Sequence, residues 1–488
     1  MGVGILRFAG ALGVILMLGA SVCGMAQAQP LPQAQAQSQA QPQPQPQSQA
    51  PIAAADLAIA AKLRDQALRG TDAFALVESL TTEVGARVAG TDAEARAAQW
   101  AVRELTRLGL ANVRVETFEM QGWVRGPERA QTTAPFAHEL VISTLGYSVP
   151  TPAGGIEAEV VLFDSLEALI AAPLGSLDGK IAVVTYAAVK TMTGAGYGYA
   201  VRARRSGAIE AARRGAVGFL MRAAGTHSNR YANTGAMAYA DDVRKIPAAA
   251  LAPPDAALLQ RLAKRGPLRI RFETRPTLPG TVTSQNVIAD IVGSERPNEY
   301  VILSAHLDSW DGGTGALDDG AGIGITGAVA GMIAALPTRP KRSIRVIFFG
   351  AEEFGLIGAR AYVARHRARL GEYFIGNQAD AGDGRPYAFR TRVAESALPA
   401  FDPVRALLRP LGIIPGDNLA TSGPDMTPFR EAGVPLYGIE QDMTDYFDLH
   451  HTPSDTLDKV SASNLDQNAA AWAATTWLLA NMEAALRP

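Results

Sequence analysis

From about position 284 the chain alternates between short unbroken apolar runs and longer stretches whose apolar residues recur every three or four positions. The runs at 286–292, 299–304, 343–350, 372–378 and 434–439 are predicted strands. The stretches at 320–336, 356–367, 403–411, 427–432 and 462–486 are predicted helices. Such alternation predicts a mostly parallel, mixed α/β sheet with helices on both faces. Unbroken runs such as 300–303 suit strands buried on both sides.

The earlier part reads differently. Residues 56–108 are mostly helical, punctuated by Gly85 and Gly90 and ended by Gly109. The clearest helix there is 92–108, with Ala97, Val102 and Leu105 on its apolar side. Residues 112–118 read as a strand through Val113, Val115 and Phe118. Between 126 and 277 short β-patterns dominate, at 139–142, 157–163, 180–185 and 268–272, with helical stretches at 206–214 and 254–264. This is the pattern of a small α+β module with its own core. His227 within it is isolated and reads as structural or surface.

A length of 488 residues is too much for one core. The expected organisation is a signal peptide at 1–28, a disordered linker at 29–50, the first part of a catalytic domain at 51–125, an inserted domain at 126–277 and the main catalytic part at 278–488. Arg7, the apolar run 8–22 and the small-x-small site Ala26-Gln27-Ala28 carry the signal, which implies a periplasmic or secreted protein. The run is too short for a comfortable membrane span. The Gln/Pro/Ala tract after it lacks the apolar content to fold. Cys23 is the only cysteine and lies before the expected cleavage point, so disulfides, a thiol nucleophile and cysteine-ligated metal are excluded from the mature chain. The 45 basic residues are balanced by 47 acidic ones, which argues against a nucleic-acid surface or a polybasic membrane patch.

Four patches carry candidate chemistry, most of them at predicted strand ends, where ligands bind in open α/β sheets. They are His306-Leu-Asp308 with Asp318-Asp319, then Glu352-Glu353, then Asp380, and finally His450-His451 with Asp455-Thr456. Each alone could be solvated surface charge. Together their imidazoles and carboxylates make a ligand set that suits zinc. A carboxylate can share its two oxygens between cations roughly 3.5–4 Å apart, and neutral histidines add affinity without further negative charge.

In order along the chain, His306-x-Asp308, Asp318, Glu352-Glu353, Asp380 and His451 before Thr452-x-x-Asp455-Thr456 resemble the co-catalytic di-zinc aminopeptidases. The segment 126–277 resembles a protease-associated domain. The resemblance implies the zinc-dependent exopeptidase fold and two Zn2+ per chain. Asp318 would bridge the metals, His306 and Asp380 would complete one site, and Glu353 and His451 the other. Glu352 would be the general base and Asp308 the carboxylate that orients His306. The family's histidine directly precedes the Thr, which selects His451 over His450. A cis peptide between Asp318 and Asp319 is also implied.

Ser422-Gly-Pro-Asp425-Met426 falls where the family places substrate-pocket residues. Asp425 there would either contact the substrate's amino end or cap a helix. Tyr446 is a pocket-lining candidate. Asp311 and Asp319 fit no ligand position. Gly313, Gly315, Gly320 and Gly322 lack the order of a phosphate-binding loop and read instead as flexible backbone around the cluster. The expected activity is hydrolysis of short peptides next to a free N-terminus, with no nucleic-acid partner and no stable membrane insertion after signal cleavage. Whether the inserted domain covers the cleft or forms a homodimer contact stays open. Two other readings are a single-zinc acyl transferase like the glutaminyl cyclases and a non-catalytic peptidase-like binding protein.

Overall fold

The structure, a computed structural model, describes residues 51–487. The expected signal peptide and linker lie outside the described residues. The helix–strand alternation from 284 onward does produce a sheet, and it is extended by the strand ahead of the second module. Its order is Ala111–Val124, Thr277–Ile291, Arg342–Phe349, Arg296–His306, Tyr373–Gln378, Leu436–Gln441, Pro386–Arg392 and Ile414–Pro415. The four strands from Arg342–Phe349 to Leu436–Gln441 run parallel, and the strands flanking them pair antiparallel to them.

Side-chain alternation divides this sheet between two helical layers. Val301, Leu303, Ala305, Ile344, Val346 and Phe348 face one core, packed by the helices Ala73–Glu83, Asp92–Arg107, Ala321–Ala334 and Ala462–Asn481. Tyr300, Ile302, Ile347 and Phe349 face the other, against Ile357–Arg365 and Thr427–Glu431. Every residue of Arg342–Phe349 is buried, as suits a mainly apolar strand covered on both faces. Parallel strands all end at the same edge. His306 pairs with Phe349, and Ser304 with Gln378, so the loops carrying Asp308, Glu352 and Asp380 leave the sheet side by side.

A second eight-stranded sheet is built from residues 128–274, in the order His138–Leu140, Glu128–Ala134, Arg269–Thr274, Ile156–Phe163, Ile181–Val184, Gly218–Arg222, Ala248–Leu251 and Ile142–Thr144. It has apolar packing on both faces. Trp310, Trp123, Met120, Ala351 and Phe354 form a further cluster, with Tyr147 and Ala236 packed against it. The indoles of Trp123 and Trp310 meet edge to face at 6.1 Å.

Several elements depart from the sequence expectation. The helix expected at 206–214 spans Ala195–Arg213, its first turns hidden by the poor helix formers Gly196 and Gly198. The strands Gly218–Arg222 and Ala248–Leu251 had no alternating pattern to reveal them, because they are buried along almost their whole length. Residues 139–142 form two strands rather than one. The last helix stops at Asn481 instead of continuing to 486. Beyond it Glu483 donates its N–H to the Pro51 carbonyl and the Leu486 carbonyl accepts from Ala394, so the tail closes the end of the fold. No helix among the described residues is long and apolar enough to cross a membrane.

One ion pair lies inside the first sheet. Asp290 and Arg345 are cross-strand partners, joined by two hydrogen bonds of 2.7 and 3.0 Å, with the guanidinium 3.8 Å from the Tyr300 ring centre. Both side chains are buried. Removing one partner of such a pair strands a charge and costs about 3–5 kcal/mol, whereas replacing both by apolar groups is often neutral. Asp290→Ala is therefore expected to lower the urea midpoint strongly. The double substitution Asp290→Leu with Arg345→Met should recover most of that loss.

Candidate metal centre

His306 is the last residue of its strand. Its Nδ1 lies 3.1 Å from the backbone carbonyl of Asp308, and its Nε2 lies 3.1 Å from Asp318 Oδ1 and 3.9 Å from Asp380 Oδ1. A carbonyl accepts only, so Nδ1 carries a proton, and Nε2 is the nitrogen turned toward the carboxylates, the one a cation would take. His451 repeats the pattern from the other side. Its Nδ1 lies 3.2 Å from the Thr234 carbonyl, and its Nε2 lies 3.1 Å from Asp318 Oδ2 and 2.9 Å from Glu353 Oε2. Asp318 thus has one oxygen toward each histidine. The five residues expected to meet do so.

The adjacent His450 reaches Asp318 Oδ2 at 3.3 Å and stacks on His451 with ring centres 3.5 Å apart. Its Nδ1 is buried without a partner, and it makes no contact of this kind with Glu353. Donor atoms of His306, Asp318 and Asp380 fall within 4.8 Å of one another, as do those of Asp318, His450 and His451. The two groups share Asp318.

The loops that carry these side chains are fixed by backbone hydrogen bonds. Asp308 differs from expectation in how it acts. Its carboxylate stands 3.6 Å from the His306 ring, and the nearer contact is through its carbonyl. The carboxylate instead accepts the N–H groups of Glu352 at 3.0 Å and Glu353 at 3.3 Å, pinning that loop to the His306 loop. Asp455 accepts from the N–H groups of Leu317 and Asp318 at 2.6 and 3.3 Å. Asp319 accepts from His306 N–H and Gly322 N–H, so its carboxylate is taken up by main-chain donors, in keeping with its place outside the ligand positions. The peptide bond between Asp318 and Asp319 is cis, as the resemblance implied. Gly322 is required by close approach: a Cβ there would sit 2.1 Å from the Ala379 carbonyl oxygen. Asp311 pairs with Arg125 at the loop's outer end.

Arg87 was not anticipated from the sequence. It is fully buried and donates to the carbonyls of Leu307, Thr314 and Gly315 at 2.6, 2.8 and 2.9 Å. A lone arginine before the helix Asp92–Arg107 gave no signal, because its partners are main-chain atoms more than 200 positions away.

Electrostatics define what the cluster can hold. Burial pushes Glu352 and Glu353 upward from the ordinary carboxylate range; neighbouring carboxylates add to the rise, and only the histidines oppose it. Asp380 is pushed up to about 7, by burial first. Burial opposes ionisation of Asp318 as well, but His450, His306 and His451 around it outweigh that and hold it low. So many carboxylates cannot all ionise in one buried volume unless positive charge enters. Glu353 Oε1 is buried without a hydrogen-bond partner, and Asp318 Oδ2 has no well-formed one despite two imidazoles nearby. The donor set, its histidine tautomers and its unsatisfied oxygens therefore fit a pair of divalent cations sharing Asp318.

Beside the cluster lies a second group of unsatisfied atoms. Asp425 is fully buried; its Oδ2 accepts from Gln378 Nε2 at 2.9 Å and its N–H donates to Gln378 Oε1 at 2.7 Å, while Oδ1 has no partner. It caps no helix, which removes that alternative. Ser422 Oγ and Tyr446 Oη are also buried and unpartnered. Left-handed backbone at non-glycine residues recurs here, at Ala351, Leu356, Ser422 and His451, as expected where function overrides local preference.

Comparison with known proteins gives this centre a class. The family model described as peptidase family M28 matches residues 286–476. Carboxypeptidase Q of Mus musculus is 35% identical over 406 residues, spanning 83% of this chain and 84% of its own. The Rattus norvegicus protein is 36% identical over 407 residues, with the same coverage. The crystal structure of a peptidase M28 precursor from Shewanella amazonensis SB2B is 42% identical, with a TM-score of 0.87, covering 89% of this chain and 98% of that one. An aminopeptidase from Aneurinibacillus sp. strain AM-1 shares the fold at 22% identity and a TM-score of 0.60, covering 87% and 97%. A mixed α/β sheet with this cluster at its edge is that of a metallopeptidase. The chain belongs to peptidase family M28, and its sequence is similar to carboxypeptidase Q along most of its length.

Asp308→Ala would leave the Glu352 and Glu353 N–H groups without their acceptor, at about 1–3 kcal/mol for each buried donor. Calorimetric melting of the metal-stripped protein is expected to show the corresponding fall in stability.

Proposed function

We propose that the protein is a di-zinc exopeptidase that removes residues from the free amino end of short peptides, dipeptides included. The observation that carries this reading is the shared carboxylate: Asp318 faces His306 with one oxygen and His451 with the other, while Asp380 adjoins His306 and Glu353 adjoins His451. On this reading Asp318 bridges two cations, His306 and Asp380 complete one site, and Glu353 and His451 complete the other. His451 is preferred to His450 because only His451 has its Nδ1 proton committed to a carbonyl and its Nε2 near both Asp318 and Glu353. A cation pair there would supply Lewis acidity toward water and toward the scissile carbonyl.

The chain's own residues supply the rest. Glu352 follows a backbone fixed by Asp308, and its carboxyl makes no hydrogen bond or ion pair to another side chain among the described residues. It takes a proton from the attacking water as the C–O bond forms, and delivers it to the amine nitrogen as the C–N bond breaks. Burial that raises its proton affinity suits that exchange. The free Oδ1 of Asp425 is the anchor for the substrate's ammonium group, and the Ser422 and Tyr446 hydroxyls are available to its polar backbone. Residues 126–277 are read as an inserted protease-associated domain, supported by the separate sheet formed within them. Residues 1–28 are read as a signal peptide directing the enzyme to the periplasm or the exterior.

Glu352→Gln is expected to keep two zinc ions per chain, measured by elemental analysis, while kcat on a dipeptide falls by about 10²–10⁴-fold. Near-normal turnover would remove Glu352 as the base. Chelation of the wild-type protein should abolish hydrolysis, and Zn2+ should restore it. A stoichiometry of one zinc would favour the acyl-transferase reading instead.

A further inference from the structure

His451 occupies an unusual backbone position. Its φ of 61° is left-handed, a region that residues with a Cβ rarely adopt. Something must hold it there, and the contacts come from the second sheet's part of the chain. The Thr234 N–H donates to the His451 carbonyl at 3.1 Å, and the Thr234 carbonyl stands 3.2 Å from His451 Nδ1. One residue thus grips both the main chain and the ring. The neighbouring Asn233 donates to the His450 carbonyl at 2.6 Å, and its own Oδ1 is 2.8 Å from His227 Nε2. Thr226 N–H donates to the Phe447 carbonyl at 3.1 Å.

Behind this grip stands Arg204, on the helix Ala195–Arg213. It is nine-tenths buried, forms no ion pair among the described residues, and has its Nε unpartnered. Its Nη1 lies 3.1 Å from the Thr234 carbonyl, 2.9 Å from Tyr197 Oη and 3.4 Å from His451 Nδ1. Gly235, at φ +134°, makes room for it, since a Cβ there would meet Nη1 at 2.1 Å. A guanidinium has only N–H groups to offer. Its Nη1 donates to the Thr234 carbonyl and to Tyr197 Oη, so it fixes from behind the carbonyl that can accept the His451 Nδ1 proton, and Nε2 is the nitrogen left toward Asp318 and Glu353. His306 receives the same service from Asp308, within its own loop.

We propose that Arg204 and Thr234 are positioning residues for His451, so that the second sheet's module builds one half of the metal centre. The inference rests on the two-cation reading above. It means that the two cation sites differ in origin: one is braced from within the catalytic sheet, the other from a separate module. Loss of an outer partner of a metal-bound histidine typically costs 10–100-fold in affinity.

The test is titration of the chelator-stripped full chain with Co2+, followed by calorimetry and by visible absorption. Two binding events in the wild type are the starting condition, and a single event would overturn the two-cation reading itself. Arg204→Met is expected to weaken one event by about 10–100-fold and alter its absorption band, leaving the other event unchanged. Arg204→Lys should recover part of the loss. Tyr197→Phe, which removes a single oxygen, should weaken the same event to a smaller degree and carries the test if Arg204→Met fails to fold. Two wild-type events in both Arg204→Met and Tyr197→Phe, or equal weakening of both events, would overturn the proposal while leaving the two-cation reading standing.

Discussion

The structure is organised around a concentration of buried negative charge. Asp318, Glu353 and Asp380 converge with His306 and His451 where solvent scarcely reaches. Left alone, such a group would take up protons, as the raised affinities of Glu353 and Asp380 show. The surrounding scaffold is specialised for holding the carboxylates apart from one another and aimed at common points. It does so through main-chain groups, both N–H donors and carbonyl acceptors. Asp308 gathers the N–H groups of the Glu352 loop, Asp455 gathers those next to Asp318, and Arg87 binds three carbonyls of the intervening turn. None of these three contacts needs a ligand side chain to serve as its own support.

The sheet makes this economical. Parallel strands end at one edge, so three loops leave together without long connections. Apolar contacts on both faces keep those strand ends from shifting. The Asp290–Arg345 pair, which joins the strand beside His306's own to the next one out, adds a directional tie where side-chain packing alone would allow sliding.

Most of this was legible in the sequence, for a physical reason. Strands buried on both faces write themselves as unbroken apolar runs, and the carboxylates and histidines directly after them stand out against that background. His306, Glu352, Glu353 and Asp380 stood out this way, Asp318 and His451 were singled out by the resemblance to the aminopeptidases, and the structure brings His306, Asp318, Glu353, Asp380 and His451 together. What escaped was of two kinds. Strands such as Ala248–Leu251 consist of residues that carry no β signature, and only their neighbours make them strands. Residues acting through main-chain atoms at long range, such as Arg87, Arg204 and Thr234, have no spacing to betray them. The function of Asp308 was placed correctly near the site, but its chemistry runs through the Glu352 and Glu353 amides rather than chiefly through the imidazole.

Arg87 near one end of the polypeptide and Asp455 near the other grip the same turn, from Leu307 to Asp318. A ribosome therefore releases the earliest and the latest of these anchors hundreds of residues apart. On the two-cation reading, the set of donor side chains stays incomplete until the segment bearing His451 and Asp455 has emerged, so assembly of the site would await nearly the whole chain, a delay written into the topology.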